Sequence, residues 1–207
     1  MSRLFIVLLV VVCVLSHSQE LRAQPVSAGF KAGVTAARLP GVTAAIPVAV
    51  DEESRRGATG GMFVTLPLTD LVAFQPEALY VVKGATMVTP AAGPRYTLAF
   101  DVRYLDMPLF FRFARSSQRL YFLVGPSVGF RLAAEAREIV NGVTETRDFS
   151  DQIRRVDAGV SFGAGATFDR LLVEGRWTEG LRDVENGDRF GTAVRNRVLA
   201  VLAGFRF

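Results

Sequence analysis

The chain has 207 residues, 50% hydrophobic and 21% charged, with a formal net charge of +4 and a mean hydropathy of +0.28. A helical membrane protein needs apolar stretches of roughly 20 residues, and only one run approaches that character, at the extreme N-terminus, so a polytopic helical bundle is excluded. Disorder, which pairs high charge with few apolar residues, is excluded too, and the length suits one domain.

The N-terminal run reads as a targeting segment. Arg3 supplies a positive start, Leu4 to Leu15 an apolar stretch too short to span comfortably, and Ala23 a small residue before a cut. Residues 1–23 are expected to be a signal peptide and 24–207 the mature domain. Val-Val before Cys13 fits a lipoprotein site poorly. Cleavage removes Cys13 and His17, the only residues of their kinds. The mature chain then has no disulfide, thiol nucleophile, imidazole base or His/Cys metal site. No metal or cofactor is expected, and no basic block points to nucleic acid.

After Pro25 the pattern has period two, the signature of strands with distinct faces. Eight segments are predicted, in an all-β chain. The first, Ser27 to Leu39, sets Phe30, Ala32, Val34 and Ala36 against Gly29, Lys31, Gly33 and Thr35. The second, about Ala58 to Leu66, carries Met62, Val64 and Leu66 on one face. The third, Leu71 to Lys83, sets Val72, Phe74, Pro76, Ala78, Tyr80 and Val82 against Gln75, Glu77 and Lys83. The fourth, Tyr96 to Phe113, changes phase. Leu98, Phe100, Val102 and Tyr104 oppose Asp101 and Arg103, whereas Leu105, Met107, Leu109, Phe111 and Phe113 oppose Asp106 and Arg112. One extra residue near Tyr104-Leu105 would do this, so a β-bulge is predicted there.

The fifth segment, Leu120 to Leu132, sets Phe122, Val124, Val128 and Phe130 against Gly125, Ser127, Gly129 and Arg131. The sixth, Arg155 to Phe168, sets Val156, Val160, Phe162 and Phe168 against Asp157, Ser161 and glycines. The seventh, Leu171 to Leu181, opposes Leu171, Val173 and Trp177 to Leu172, Glu174, Arg176 and Thr178. The eighth, Arg195 to Phe207, opposes Leu199, Val201, Ala203, Phe205 and Phe207 to Asn196, Val198 and Arg206. Short turns at Pro67 to Asp70, Ala114 to Arg119 and Asp169-Arg170 alternate with long loops at about 40–57, 84–95, 133–154 and 182–194. An even strand count with short turns at one end and long loops at the other is the plan of an up-and-down, antiparallel transmembrane β-barrel.

A lipocalin-type soluble barrel would carry apolar residues inside and polar ones outside. Three features favour the opposite arrangement. The polar face mixes glycine with charges of both signs, a set suited to a narrow interior: Glu77, Asp101, Arg103, Arg112, Asp157, Glu174 and Arg176 are the candidate lumen network. Aromatic residues gather near strand ends, as at two membrane interfaces. Tyr80, Tyr96 and Trp177 lie toward the long loops; Phe63, Phe111, Phe113, Phe122, Phe168, Phe205 and Phe207 lie toward the short turns. Finally, an alternating apolar strand ends on Phe207, a candidate signal for bacterial outer-membrane assembly machinery.

Runs along the chain carry a family likeness: Gly29 to Val34, Phe74 to Tyr80, Tyr104 to Leu109, Gly125 to Gly129, Glu174 to Leu181, and the ending Asn196 to Phe207. In these the chain resembles the PorT-like family of outer-membrane β-barrels, common in Bacteroidota and their relatives. The resemblance implies a barrel and no agreed reaction, and a founding member is associated with secretion-system assembly. Fold alone does not transfer a role.

The expectation is a monomeric, non-enzymatic barrel in a Gram-negative outer membrane, its N-terminus facing the periplasm and its lumen filled. It would support envelope integrity or interact through external loops. The charged stretches Asp51 to Arg56, Glu135 to Asp151 and Glu179 to Arg189 are the candidate loop surfaces. Expected partners are outer-membrane lipid and lipopolysaccharide, and the barrel-assembly machinery during biogenesis. The alternatives are an accessory subunit of a secretion or gliding-motility complex, with its proteins as partners, and a soluble periplasmic lipocalin-like ligand-binding barrel.

Overall fold

The computed structural model describes residues 26–41, 51–88, 96–115, 119–140, 143–184 and 194–207. The expected signal segment and parts of all four long loops lie outside these residues. Among the described residues there are nine strands: β1 Ser27–Arg38, β2 Asp51–Pro67, β3 Val72–Val88, β4 Tyr96–Ala114, β5 Leu120–Val140, β6 Val143–Asp148, β7 Val156–Phe168, β8 Leu171–Gly180 and β9 Arg197–Arg206. A three-residue 3-10 turn, Ser150–Gln152, is the one helical element among the described residues.

Eight strands form a closed antiparallel ring. β1 pairs with β2 and β9, β4 with β5, and β5 with β7, so the order returns to its start. Closure removes the sheet edges that would otherwise carry unpaired backbone groups. β6 stands outside the ring and pairs only with the upper part of β5, from Glu135↔Asp148 to Val140↔Val143. The two make a protruding ribbon at the long-loop end.

The short turns are built locally. Thr69 Oγ1 accepts the amides of Leu71 (3.2 Å) and Val72 (3.0 Å) after β2. Between β7 and β8, Asp169 takes φ 56°, a left-handed position that Asp tolerates in a two-residue hairpin. The strands overrun the predicted loops: β2 starts at Asp51, β3 reaches Val88, and 133–154 is mostly strand. That ribbon lies beyond the apolar band, where alternation of polarity weakens.

Strand parity holds the barrel together. Exposed Phe30, Val34, Met62, Leu109, Phe111, Phe122, Phe162, Val173 and Val201 point outward, while Lys31, Glu77, Asp157, Glu174 and Arg176 are buried inside. Apolar outside and charged inside is the inverse of a lipocalin, and the lipocalin reading is overturned on that ground.

The predicted β4 bulge is corrected. β4 keeps one register against β3, from Val72↔Phe113 to Val88↔Thr97. The irregularity lies between β4 and β5, where Arg103 pairs with Ala133 and Tyr104 with Arg131, so the extra residue is Leu132 of β5. Leu98, Phe100, Val102 and Tyr104 therefore face inward together with Asp106 and Phe110. What changes along β4 is the polarity of the surroundings and not the parity of the strand.

Candidate functional site: a layered lumen and its outer rim

The lower lumen holds a closed ring of four charges. β1 supplies Lys31, β3 Glu77, and β8 both Glu174 and Arg176. Lys31 Nζ lies 2.9 Å from Glu77 Oε1 and 3.2 Å from Glu174 Oε2. Arg176 Nη1 is 2.8 Å from Glu77 Oε2, and Arg176 also pairs with Glu174. Each cation touches both carboxylates, and the ring is neutral. Gln75 Nε2 donates to Glu77 (2.7 Å) and Tyr121 Oη to Glu174 (3.0 Å). Cation–π contacts close the layer: Lys31 over Phe63 (4.5 Å), Arg176 over Phe110 (4.7 Å) and Arg112 over Tyr121 (4.1 Å). Gly165 makes room for Tyr121, because a Cβ there would collide with the tyrosine's ring and hydroxyl.

The next layer centres on Lys83. Its Nζ is 2.9 Å from Asp106 and 3.2 Å from Asp157. Asn196 Nδ2 donates to Asp157 Oδ2 at 2.7 Å, and the Lys83 ammonium lies 4.7 Å from the Tyr104 ring centroid. A residual cavity of about 30 Å³, lined by Asp106, Arg176, Ser127, Ser161 and Thr178 among others, separates the layers. That is room for about two water molecules.

Above Lys83 the lumen becomes apolar. Leu39, Ala85, Met87, Val184 and Val194 pack with Leu98, Phe100 and Ile153, and a second cluster joins Val102, Tyr104 and Ala134 to Phe149 and Ile153. Segments after the ribbon thus fold back as a plug. At the other end the mouth widens to a cavity of about 600 Å³ lined by Thr65, Arg112, Arg170 and Arg206.

Of the seven predicted network residues, Glu77, Glu174 and Arg176 meet in the ring and Asp157 joins Lys83. Arg112 lies in the lumen near the short turns, and its Nη2 donates to Thr167 Oγ1 at 3.3 Å. Asp101 and Arg103 stand elsewhere: with Phe100 and Val102 turned inward, they lie on the outer wall. Asp101 pairs there with Arg55 and Arg137, and Arg103 Nη2 with Glu135 Oε2 at 2.9 Å. Gly84 (φ 137°) stands opposite Asp101 on β3, where a Cβ would run into the Phe100 carbonyl.

Phe63 is also corrected. It is buried beneath Lys31, inside the lumen. Tyr80, Trp177, Phe111, Phe113, Phe122 and Phe168 are exposed on the outer wall, and Phe205 stacks on Phe30 with ring centroids 5.9 Å apart. The Tyr96 side chain lies outside the described residues. Phe207 is exposed, and its amide donates to the Ala28 carbonyl at 3.0 Å. The stretch Asp51 to Arg56 is strand, Glu135 to Asp151 forms the ribbon and 3-10 turn, and part of Glu179 to Arg189 lies outside the described residues. On the ribbon, Ser150 donates its amide to Asp148 Oδ1 at 2.7 Å, which holds that carboxyl below its ordinary value.

The predicted network omitted Lys31, Lys83, Asp106, Asn196 and Tyr121. One signal was available: Lys31 and Lys83 are the only lysines, every other basic side chain being arginine. Both fall on the lumen face.

Residues 17–186 match the family model of the outer membrane protein beta-barrel domain. No curated protein matches the chain. Among solved structures, Ail, the attachment invasion locus protein of Yersinia pestis, is 14% identical with a TM-score of 0.45, covering 89% of this chain and 100% of its own. Neisserial surface protein A is 10% identical with a TM-score of 0.45, over 89% of this chain and 100% of its own. The outer membrane protease OmpT of Escherichia coli is 11% identical with a TM-score of 0.34, over 93% of this chain and 99% of its own. With its ring of eight strands, its apolar outer wall and a family match over most of its length, this chain belongs to the outer membrane protein beta-barrel family.

Proposed function

We propose that the protein is a non-enzymatic, non-conducting outer-membrane barrel of the PorT-like type. It is delivered by its signal peptide, supports envelope integrity, and meets partners through the elements beyond the long-loop rim. The observation that carries this reading is the filled lumen: a neutral four-charge ring, the Lys83 layer and an apolar plug in series. A narrow eight-stranded barrel holds side chains and no aqueous channel. The carboxylates of the ring are each held between two cations, a closed set of paired charges and not an open acid–base site.

Planar-bilayer recording of the refolded full chain tests this. Closed-level current is expected; a stable ohmic conductance would overturn it. Deletion in the source bacterium is expected to raise envelope permeability without loss of a hydrolytic activity. Co-purification of a stoichiometric secretion complex would favour the accessory-subunit reading instead.

A further inference from the structure

A second feature lies where β5 leaves the barrel wall. β5 pairs with β7 up to Phe130↔Val156, and above Glu135 it pairs with β6. Between these points the wall is closed only by single bonds, such as Arg131 N to Arg155 O at 2.9 Å and Ala134 N to Ser150 Oγ at 3.1 Å. The gap is a cleft of about 440 Å³ lined by Arg131, Arg154, Arg155 and Arg182, with Asp151, Ile153 and Val156. Four arginines and one aspartate are among the residues that line this cleft, in a chain whose whole formal charge is only +4.

The cleft is a constructed one. Ile153 at its wall belongs to the apolar plug, and Arg154 N donates to Val184 O at 2.9 Å. Arg131 Nε is buried there without a hydrogen-bond partner. Asp148, on the ribbon beside the cleft, has one carboxylate oxygen that already accepts the Ser150 amide. Phe130, Leu132 and Leu181, next in sequence to the lining arginines, are all exposed. Cationic groups above an apolar rim match the layering of a phosphorylated amphiphile, whose acyl chains lie on the wall and whose phosphate lies at headgroup level.

We propose that this cleft binds a phosphate monoester on an outer-leaflet lipid, held by the guanidiniums of Arg131, Arg154, Arg155 and Arg182. Guanidinium forks match phosphate oxygens in bidentate geometry, and the exposed leucines favour a lipid over a free anion. The proposal rests on the outer-membrane reading above, with the ribbon end external.

Native mass spectrometry of the folded full chain in detergent tests it, with dioleoyl phosphatidic acid, dioleoyl phosphatidylcholine and inorganic phosphate as separate probes. Retention of phosphatidic acid is expected, at least tenfold tighter than phosphatidylcholine, with no competition from inorganic phosphate at equal concentration. The double variant Arg131→Gln/Arg155→Gln is expected to lose at least tenfold, while Arg103→Gln/Arg137→Gln on the outer wall retains binding. Equal loss in both double variants, or full retention in the first, would overturn the proposal. Full competition by inorganic phosphate would overturn the lipid assignment. If the first double variant fails to show the folded band on unboiled gels, Arg155→Lys replaces it: charge is kept, the fork is lost, and weaker retention is expected. Equal retention in that variant counts against the site. Bilayer conductance bears only on the filled-lumen reading, so the two can fail separately.

Discussion

Two stretches of β4 share one strand parity and opposite polarity. From Leu105 to Phe113, the outward residues are Leu105, Met107, Leu109, Phe111 and Phe113, and the inward ones include Asp106 and Arg112. From Leu98 to Tyr104, the outward residues are Asp101 and Arg103 and the inward ones are apolar. The backbone continues unbroken against β3; the surroundings invert. Below, lipid selects an apolar exterior and the charges must satisfy each other inside. Above, water selects a charged exterior and the interior becomes an ordinary apolar core. Tyr80 and Leu105, paired across β3 and β4, mark the crossing.

The sharpest way to test this division is to place the same charge change on each side of it. Glu174→Lys leaves three cations around Glu77 in a layer with fully buried side chains. A loss of about 3–5 kcal/mol is expected, the usual cost of breaking a buried pair. Urea unfolding of the barrel in detergent, followed by the folded band on unboiled gels, measures it; an unmoved midpoint would contradict the closed ring. A step smaller is Leu109→Arg on the exposed wall of β4. It is expected to destabilise by about 2–4 kcal/mol in lipid, the cost of a cation at mid-membrane. In detergent micelles the effect should shrink, and comparing vesicle with micelle refolding checks that.

Gly165→Ala probes the lower layer more gently. The added methyl displaces Tyr121 from Glu174, and a loss of about 1–3 kcal/mol is expected, typical of overpacking. Tyrosine fluorescence and the unfolding midpoint report it together. The smallest effect belongs to the outer wall of the ribbon end. Arg103→Ala removes a pair whose side chains are 37% and 31% exposed, and a change of about 0–1 kcal/mol is expected. A loss as large as that of Glu174→Lys would erase the distinction between the two stretches.

Much of the membrane-embedded part was legible in the sequence, because lipid imposes a strict apolar alternation on every strand. The inward placement of Lys31, Glu77, Asp157, Glu174 and Arg176 follows from that parity. The outer part was harder to read. On β4 the exchange of polarity at the membrane boundary imitates a one-residue slip, so Asp101 and Arg103 read as lumen charges. The actual extra residue, Leu132, is apolar and outward like its neighbours and leaves no mark in the pattern. The ribbon strands β5 and β6 read as loop because charges occupy both faces there. Phe63 read as a belt residue because it is an aromatic near a strand end, although Met62, Val64 and Leu66 on the opposite face put position 63 in the lumen, where it packs beside Lys31 of the neighbouring strand. The arginine cleft joins residues from 131, 151–156 and 182, brought together by the departure of β5, and no local spacing encodes that.

The enclosure of both lysines has a practical consequence. In the folded barrel neither side-chain amine reaches solvent, since Lys31 is 1% and Lys83 3% exposed. Amine acylation should therefore pass over Nζ of every intact molecule and mark it only in chains that have opened. Two groups beyond the one on the terminal α-amine, counted by mass, would mark each unfolded chain and report the open population directly, with no engineered label.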